Sequence, residues 1–545
     1  MALTETTSLL TLTIALWSIY KTVIIIHRVY YSRLSHIPGP KLAAATTLYQ
    51  AYYDVFPHHG RFLWKCIDLH KKYGPIIRIG PDEVHVDDPK YYSEMYGSPT
   101  HHRNKSPLWY WMVGTGEFGD LSMFMTMDHH MHRMRRSGLG TYFSKQKTRE
   151  LEPRVRDKVL LLRKRLLDHA ATRESVNLHD AYGGMTLGMS EWRCNHLLDT
   201  NSAFLDVISM YCVGQSVGAL EEPKMGKIYN DLMGSGVRLQ PFLRNFPTIA
   251  RLILALPPWI TNFVPLYQRA TSFIGTAARI TRVAMDEAIH DTGKWPRVEE
   301  VPQTTIVHSM MESDSMPEHE KTFKRMSAEV ATLLAGGMDT TSRSLCMTTY
   351  HILKNPHIYK RVMKEIRTVF PTPQSPLPTV QEIEKLPYLT ACIYEGIRNA
   401  HGVAGRLVRI APDEDLDYVS SRDGKIYRIP RGATFSQSGY IANTNEEIYP
   451  DPHTFNPERF YRTDGKFTDA HHYLVAFGKG TRACPGQNLA FAEMYLTLTA
   501  VLGSLDMVID RTTDKDLLID QEFFIGSFPT KGPGVLIKVL GELKQ

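Results

Sequence analysis

The hydrophobic pattern changes its period several times along the chain. Leu9 to Ile26 (LLTLTIALWSIYKTVIII) is apolar on every side and holds one charge, Lys21. Eighteen such residues just reach across a bilayer, and a lysine can snorkel to the interface. One N-terminal transmembrane helix is expected within residues 1–31. No small-residue cleavage site follows it, which argues against a removed signal peptide. Arg28, Arg33 and Lys41 follow the stretch and only Glu5 precedes it, so the rest of the chain is expected on the cytosolic side. An amphipathic helix lying on the membrane is the alternative. Residues 32–41 then read as a stiff hinge, because neither proline of His36-Ile37-Pro38-Gly39-Pro40 has an N–H to donate.

Beyond the hinge, residues 42–100 predict a helix and then a hairpin, Pro75–Gly80 and Glu83–Val86 around Pro81-Asp82. Arg149 to His290 is mostly helical in period, broken at Pro241, Pro247 and Pro257-Pro258. Pro296–Pro317 reads as a polar connector. Ser327 to Lys354 is one long helix that stops before Asn355-Pro356, since the residue before a proline disfavours helix. Residues 400–440 alternate strand-like runs with turns such as Asp423-Gly424. Residues 487–505 are helical and the last 40 form a short sheet. No repeat or composition break divides the chain. The expected fold is mainly α with small β-sheets, in one domain over residues 42–545.

Composition narrows the function. Apolar residues make up 43% of the 545 and charged residues 22%, enough for a large core. A net charge of +6, without an arginine-rich tract or finger spacing, excludes nucleic acid as the natural partner. Six scattered cysteines with no C-x-x-C fit a reducing compartment. The paired histidines (His58-His59, His101-His102, His129-His130, His471-His472) lie outside any H-E-x-x-H. They are read as surface or polar groups, not as zinc ligands.

The chemistry concentrates at Phe477-Gly478-Lys479-Gly480-Thr481-Arg482-Ala483-Cys484-Pro485-Gly486. Glycines let backbone approach a planar macrocycle. Pro485 suits a first helical position, placing Cys484 at a helix N-terminus that favours a thiolate. Arg482 can make bidentate bonds to a propionate, and Phe477 offers the sulfur an apolar cover. Gly336-Gly337-Met338-Asp339-Thr340-Thr341 lies inside the long helix, where two glycines cost on the order of 1 kcal/mol each. The cost makes sense if a small ligand sits in that groove. Thr340 can bond back to a carbonyl one turn earlier.

The run F-x-x-G-x-R-x-C-x-G resembles the cytochrome P-450 family of haem-thiolate monooxygenases. The resemblance extends over residues 38 to about 530. It implies haem b, ligated axially by Cys484 and cradled by Phe477, Gly478, Arg482 and Gly486. It implies that Thr340 hydrogen-bonds the oxygen ligand on the iron and that Asp339 gates protons. Glu395 and Arg398 (E-x-x-R), with Arg459 of Pro457-Glu458-Arg459-Phe460, imply a buried structural triad. His132 and Arg136 match the helix that holds a haem propionate, with histidine where tryptophan is usual. Arg409 is favoured over Arg406 for the second propionate.

Dioxygen and a small apolar substrate are the implied reactants. The cysteine loop lies about 60 residues from the end of the sequence. No fused flavin domain is expected there, and electrons are expected from NADPH-cytochrome P-450 reductase on the endoplasmic-reticulum membrane. Trp109, Tyr110, Trp111, Met112, Phe118, Met123, Phe124, Met125 and Met127, with Phe523, Phe524 and Ile525, suit a bulky, adaptable ligand. His129–Ser144 and His401–Arg406 are similar to fungal microsomal members of secondary metabolism that resemble trichodiene oxygenase. That suggests a terpenoid, with a polyketide or indole alkaloid as alternatives. A haem-thiolate isomerase or dehydratase is the rival enzyme class. The presence of both Asp339 and Thr340 argues against it.

Overall fold

A computed structural model describes residues 2–97, 101–107, 121–140, 142–185, 207–213, 237–254, 256, 275, 277–286, 305–462, 466–529 and 534–544. The apolar N-terminal stretch forms helix α1 (Ala2–Ile26) and continues through a π-helical turn, His27–Tyr31. The window Leu9–Tyr31 is long and apolar enough to cross a membrane, and none of it is buried against the rest of the protein. The hinge that follows is anchored. Leu34 and Ile37 are buried, and the carbonyl of Pro38 accepts a hydrogen bond from Arg78 N at 2.7 Å.

Among the described residues helices dominate the remainder, and four small sheets flank them. The expected hairpin is present as β1 (Ile76–Arg78) and β2 (Glu83–Val86), in antiparallel register with Ile76 opposite Val86. It belongs to a five-stranded sheet of order β1-β2-β8-β5-β3. Here β3 is Asn104–Lys105, β5 is Arg409–Ile410 and β8 is Thr434–Ser436. Strand β4 (Val176–Asn177) pairs with the C-terminal strand β12 (Leu536–Glu542), which also pairs with β9 (Leu505–Ile509). Strands β6 (Leu416–Val419) and β7 (Ile426–Ile429) form the hairpin around Asp423-Gly424. Strands β10 (Gln521–Phe523) and β11 (Ile525–Ser527) form another, with Phe524 at its tip.

Six further helices position the site. They are α2 (His129–Gly140), α3 (Lys145–Thr172), α4 (Leu178–Met185), α5 (Phe323–Lys354), α6 (Pro387–Ala400) and α7 (Gln487–Ser504). Helix α5 starts four residues before its expected boundary, because Thr322 caps it by accepting from Arg325 N. It ends at Asn355, before Pro356, as expected. It packs on α4, α6 and α7 and is the central pillar. Its residues Leu334, Met338, Leu345 and Cys346 join α3 and α7 in the main core.

One expectation fails. The connector Pro296–Pro317 contains a helix, Ile306–Glu312, capped by Thr305 Oγ1 and burying Ile306, Val307 and Met310. A buried apolar face of three residues outweighs the polar composition around it.

Candidate active site

The cysteine loop is built by its own backbone. Cys484 N donates to the Phe477 carbonyl at 2.7 Å, closing the loop, and Gly480–Arg482 forms a single 3-10 turn inside it. Gly478 and Gly480 adopt φ of +67° and +71°, the left-handed region that disfavours side chains. A Cβ on Gly480 would lie 2.1 Å from the Tyr96 carbonyl oxygen. Phe477 packs on Phe491 of α7, with ring centroids 5.6 Å apart.

The helix start differs from the expectation. Gly486 is the N-cap and α7 begins at Gln487, so Pro485 lies outside the helix. Cys484 instead receives the Gly486 N–H. Burial pushes its thiol up, and that bond and the Arg136 charge only partly oppose the rise. The helix terminus alone therefore does not make a thiolate here. The side chain of Cys484 is nevertheless solvent-accessible although protein surrounds it, so it opens onto an internal hollow.

Helix α5 bares its glycine step in the same manner. Gly336 is exposed in mid-helix, and a Cβ there would meet nothing within 4 Å. Thr340 Oγ1 donates to the Gly336 carbonyl at 2.9 Å, the expected bond one turn back, and the helix stays continuous. A Cβ on Gly402 would lie 3.4 Å from Thr340 Cβ and its Cγ2 methyl, so the chain after α6 passes close to that side chain. Asp339 is partly buried between two ion-pair partners. Arg343 Nε lies 2.8 Å from Oδ2 and His179 Nε2 lies 3.2 Å from Oδ1. Burial alone would raise its pKa, but Arg343 and His179 overrule burial and hold it at about 2.

Between the cysteine loop and β3, positive groups crowd together. Burial, then Arg482, Lys105, Arg136 and Arg409, push His132 down to about 2, so the ring is neutral. Burial, then Arg482 and Arg409, push Lys105 well down. Arg482 itself is driven to about 8 by burial and Arg409. Arginine stays charged in proteins, so this shift measures how strongly the spot calls for an anion. Nδ1 of His132 is buried with no hydrogen-bond partner among the described residues.

Two arginines are engaged otherwise than expected. Arg482 donates to the carbonyls of Arg103, Thr126, Met127 and Asp128, which leaves no fork for a bidentate propionate bond. Arg136 Nη1 donates to the Ala483 carbonyl. Four carbonyls on one guanidinium make Arg482 a clamp between the cysteine loop and the segment before α2. Arg406 is taken up by Glu83 at 2.6 Å and by Gln50, whereas Arg409 lies in the cationic group.

Behind the loop, Arg398 Nε and Nη2 each lie 2.8 Å from a Glu395 oxygen, and both residues are fully buried. Arg459 Nε is 3.4 Å from Glu395 Oε1, and Asn456 N donates to the same oxygen. The expected triad is therefore assembled.

Part of the expected substrate stretch (Trp109, Tyr110, Trp111, Met112, Phe118) lies outside the described residues. Met123 is buried, while Met125 and Met127 flank it in the same loop. Phe124 meets Phe524 edge-on at 6.2 Å, within an apolar cluster with Val403, Leu407, Val408 and Ile525. Phe523 turns away to His59. Arg136 thus meets the cysteine loop, Lys105 lies over Phe124, Phe124 meets Phe524, and Gly402 closes on Thr340. Sequence reading missed Lys105, His179 and Gly402. Each stands in an unremarkable sequence context and acquires its place only through the fold. No group of three His, Cys, Asp or Glu among the described residues is arranged for a metal ion.

These features fit a haem. An accessible thiol opens on an internal hollow, with a bare glycine step on α5. The buried cationic group of Arg482, Lys105, Arg136 and Arg409 around His132 would suit the carboxylates of such a group. The fold and site define a haem-thiolate enzyme of the oxygen-activating class. The cytochrome P450 family model matches residues 51–535, and the chain belongs to that family.

It is 53% identical over the full length of both chains to cytochrome P450 monooxygenase ucsK of an Acremonium species. It is 29% identical to cytochrome P450 monooxygenase TRI4 of Trichoderma arundinaceum, over 95% of this chain and 92% of that one. It is 30% identical to N-acetyltryptophan 6-hydroxylase ivoC of Emericella nidulans, over 91% and 90%. The protein is a monooxygenase of the kind found in fungal secondary metabolism.

Proposed function

We propose that this monooxygenase is anchored in the endoplasmic-reticulum membrane by α1. In this reading it hydroxylates or epoxidises a bulky, apolar secondary metabolite, with a terpenoid-like skeleton favoured. Electrons come from NADPH through a separate reductase on the same membrane. The domains are then the anchor (1–31), the hinge (32–41) and the haem domain (42–545). The observation that carries the reading is the Cys484 loop opening onto an internal hollow beside an excess of buried positive charge.

The bound haem supplies oxygen activation and electron transfer, with thiolate donation favouring O–O cleavage. The chain's own residues do the rest. Cys484, positioned by the Phe477 carbonyl and the Gly486 N–H, would hold the iron through its sulfur. Arg409 and the Nδ1 face of His132 answer the propionates. Arg136 and Arg482 hold the loop that carries the ligand, and their charges still favour an anion nearby. Thr340, whose proton is given to Gly336, offers its oxygen lone pairs to a proton arriving from the Asp339 side. The apolar cluster at Phe124 and Phe524 excludes water and receives the substrate skeleton. A small apolar wall without a fixed hydrogen-bond pattern suits a terpenoid better than a polar ligand.

An indole substrate is the second reading. The similar hydroxylase ivoC is named for N-acetyltryptophan, a planar aromatic that edge-on phenylalanines also accommodate.

The test is a titration of the full-length microsomal protein with terpenoid, polyketide and indole scaffolds, followed by the Soret band. A ferrous–CO spectrum controls for thiolate ligation. A saturable low-to-high-spin shift with terpenoids alone supports the favoured class. A shift confined to indoles transfers the assignment to the second reading.

A further inference from the structure

Asp339 is gripped from two sides by chemically unlike partners. Arg343 Nε donates to Oδ2 at 2.8 Å, and its guanidinium lies over the Phe528 ring, 4.3 Å from the centroid. It is 7% exposed and cannot give up a proton. His179 Nε2 sits 3.2 Å from Oδ1 and is the wettest of the three, with its side chain 21% exposed against 13% for Asp339. Imidazole is the one side chain that ordinarily exchanges protons near neutral pH. Its placement is fixed from outside the helix. His179 N donates to Asn177 Oδ1 at 2.9 Å, and Asn177 lies in β4, opposite Leu536 of β12. Helix α4 packs along α5, so the sheet edge holds the ring against Asp339.

We propose that His179 relays protons between solvent and Asp339 and sets the pH range over which the enzyme couples electron input to product. This rests on the oxygenase reading of the site. In the relay the Nε2–H bond of an imidazolium breaks and an O–H bond forms at Asp339 Oδ1. The carboxylic acid then passes that proton onward along α5, and the neutral ring takes a new one from water. No electrons move, and the proton consumed comes from solvent. The carboxyl held at about 2 supports the arrangement. At neutral pH Asp339 does not store a proton, so a donor of higher pKa must hand it one at the moment of use. The charged groups around the pair are Arg343 on α5 and Asp180 beside His179, which together with Asp339 act on the Cys346 thiol. From the end of α6, His401 feels Arg343 as well.

Two measurements on the full-length, haem-loaded protein test this. The first follows C2–H exchange of His179 by mass spectrometry from pH 5 to 9, in the native chain and in Asp339→Asn. Loss of the adjacent carboxylate is expected to change the pH profile of that exchange. The second measures peroxide released per NADPH consumed, with reductase and no added substrate, in the native chain and in His179→Gln. Glutamine keeps an N–H for Asp339 but cannot titrate. The peroxide fraction is expected to rise several-fold and to lose its pH dependence between pH 6 and 8.

An unchanged peroxide profile in His179→Gln with an intact ferrous–CO spectrum overturns the relay and leaves the oxygenase reading standing. If His179→Gln loses its haem, the exchange measurement decides, and a His179 titration indifferent to Asp339→Asn overturns the proposal. Absence of thiolate-type CO binding in the native protein overturns the oxygenase reading itself, and the relay with it.

Discussion

Arg136 Nη1 donates a 2.6 Å hydrogen bond to the carbonyl of Ala483, the residue before Cys484. The bond ties α2 to the loop that presents the thiol, and it is charge-assisted. Arg136 also acts directly on the thiol, opposing the upward push of burial. Arg136→Ala is expected to lower haem retention and weaken the thiolate-type ferrous–CO signal. Arg136→Lys should restore part of it, because charge returns without the fork. Haem content per protein, compared across the three proteins, checks this. Equal content in all would remove Arg136 from the support of the loop.

Much of this was readable from residue order and some was not, for physical reasons. Cys484 and Glu395-x-x-Arg398 sit in local patterns whose spacing dictates their geometry, so their places were legible. The long helix was legible too, because 3.6-residue periodicity and Pro356 mark it. The helical stretch from residue 487 is legible as well, but the place of Pro485 is not. Pro485 is compatible with a first helical turn, but the loop closure from Cys484 N to the Phe477 carbonyl keeps it outside. Arg482 matched a propionate ligand by motif, yet its donors go to four carbonyls 354 to 379 residues away in sequence. No local pattern announces that. His179 is likewise 160 residues from Asp339.

The Glu395–Arg398–Arg459 triad is a folding device. Glu395 accepts from both arginines and from Asn456 N, while Arg398 Nη1 reaches the Asn443 carbonyl. Removing one partner strands a buried charge, at a cost of about 3–5 kcal/mol. Glu395→Gln should therefore reduce soluble, haem-loaded protein steeply, measured as CO-binding protein per total chain. Near-native yield would mean that the network carries little of the fold.

A buried chain of neutral groups makes the fold acid-sensitive. His70 Nδ1 lies 2.8 Å from the Gly74 carbonyl and so must carry the proton there. His70 Nε2 then accepts from His85 Nδ1 at 2.7 Å, and His85 Nε2 accepts from Ser438 Oγ at 2.9 Å. Burial lowers both imidazoles, and His70 and Arg406 lower His85 further. A histidine depressed in the folded state stabilises the fold fully above its unfolded value of about 6.5. That stability is lost as the pH falls below it, because the unfolded chain then binds more protons. Urea midpoints are expected to drop between pH 7.5 and 5.5. His85→Gln should start lower at pH 7.5 and lose less on acidification. An equal loss in both proteins would place the acid sensitivity elsewhere.

Thr340 stands between the carbonyl it bonds, Gly336, and the backbone at Gly402 that covers it. Removal of its hydroxyl leaves the apolar packing and takes away the lone pairs that receive a proton. Thr340→Ala should bind ligands with an unchanged Soret response while releasing several-fold more peroxide per NADPH at every pH. His179→Gln, by contrast, should change the pH dependence. Unchanged coupling in Thr340→Ala would take the hydroxyl out of proton delivery.

Glu493 shows the opposite electrostatic sign to the histidine chain. It lies on α7, is 3% exposed, and its carboxyl is pushed up to about 8 by burial, partly offset by a hydrogen bond with Thr341 of α5. At pH 7 it is therefore mostly a neutral acid at the α5–α7 contact. Between the unfolded value of about 4.3 and about 8 the folded state binds more protons, so stability falls as the pH rises through that window. Above it, an unpaired carboxylate is buried. Glu493→Gln keeps the shape and the hydrogen-bonding capacity without the ionisation. The variant should match the native chain near pH 5 and exceed it increasingly toward pH 8.5, by up to a few kcal/mol. Chemical denaturation at pH 5, 7 and 8.5 measures the gap. A gap that does not widen with pH would mean that Glu493 is charged in the fold, held by a partner other than Thr341.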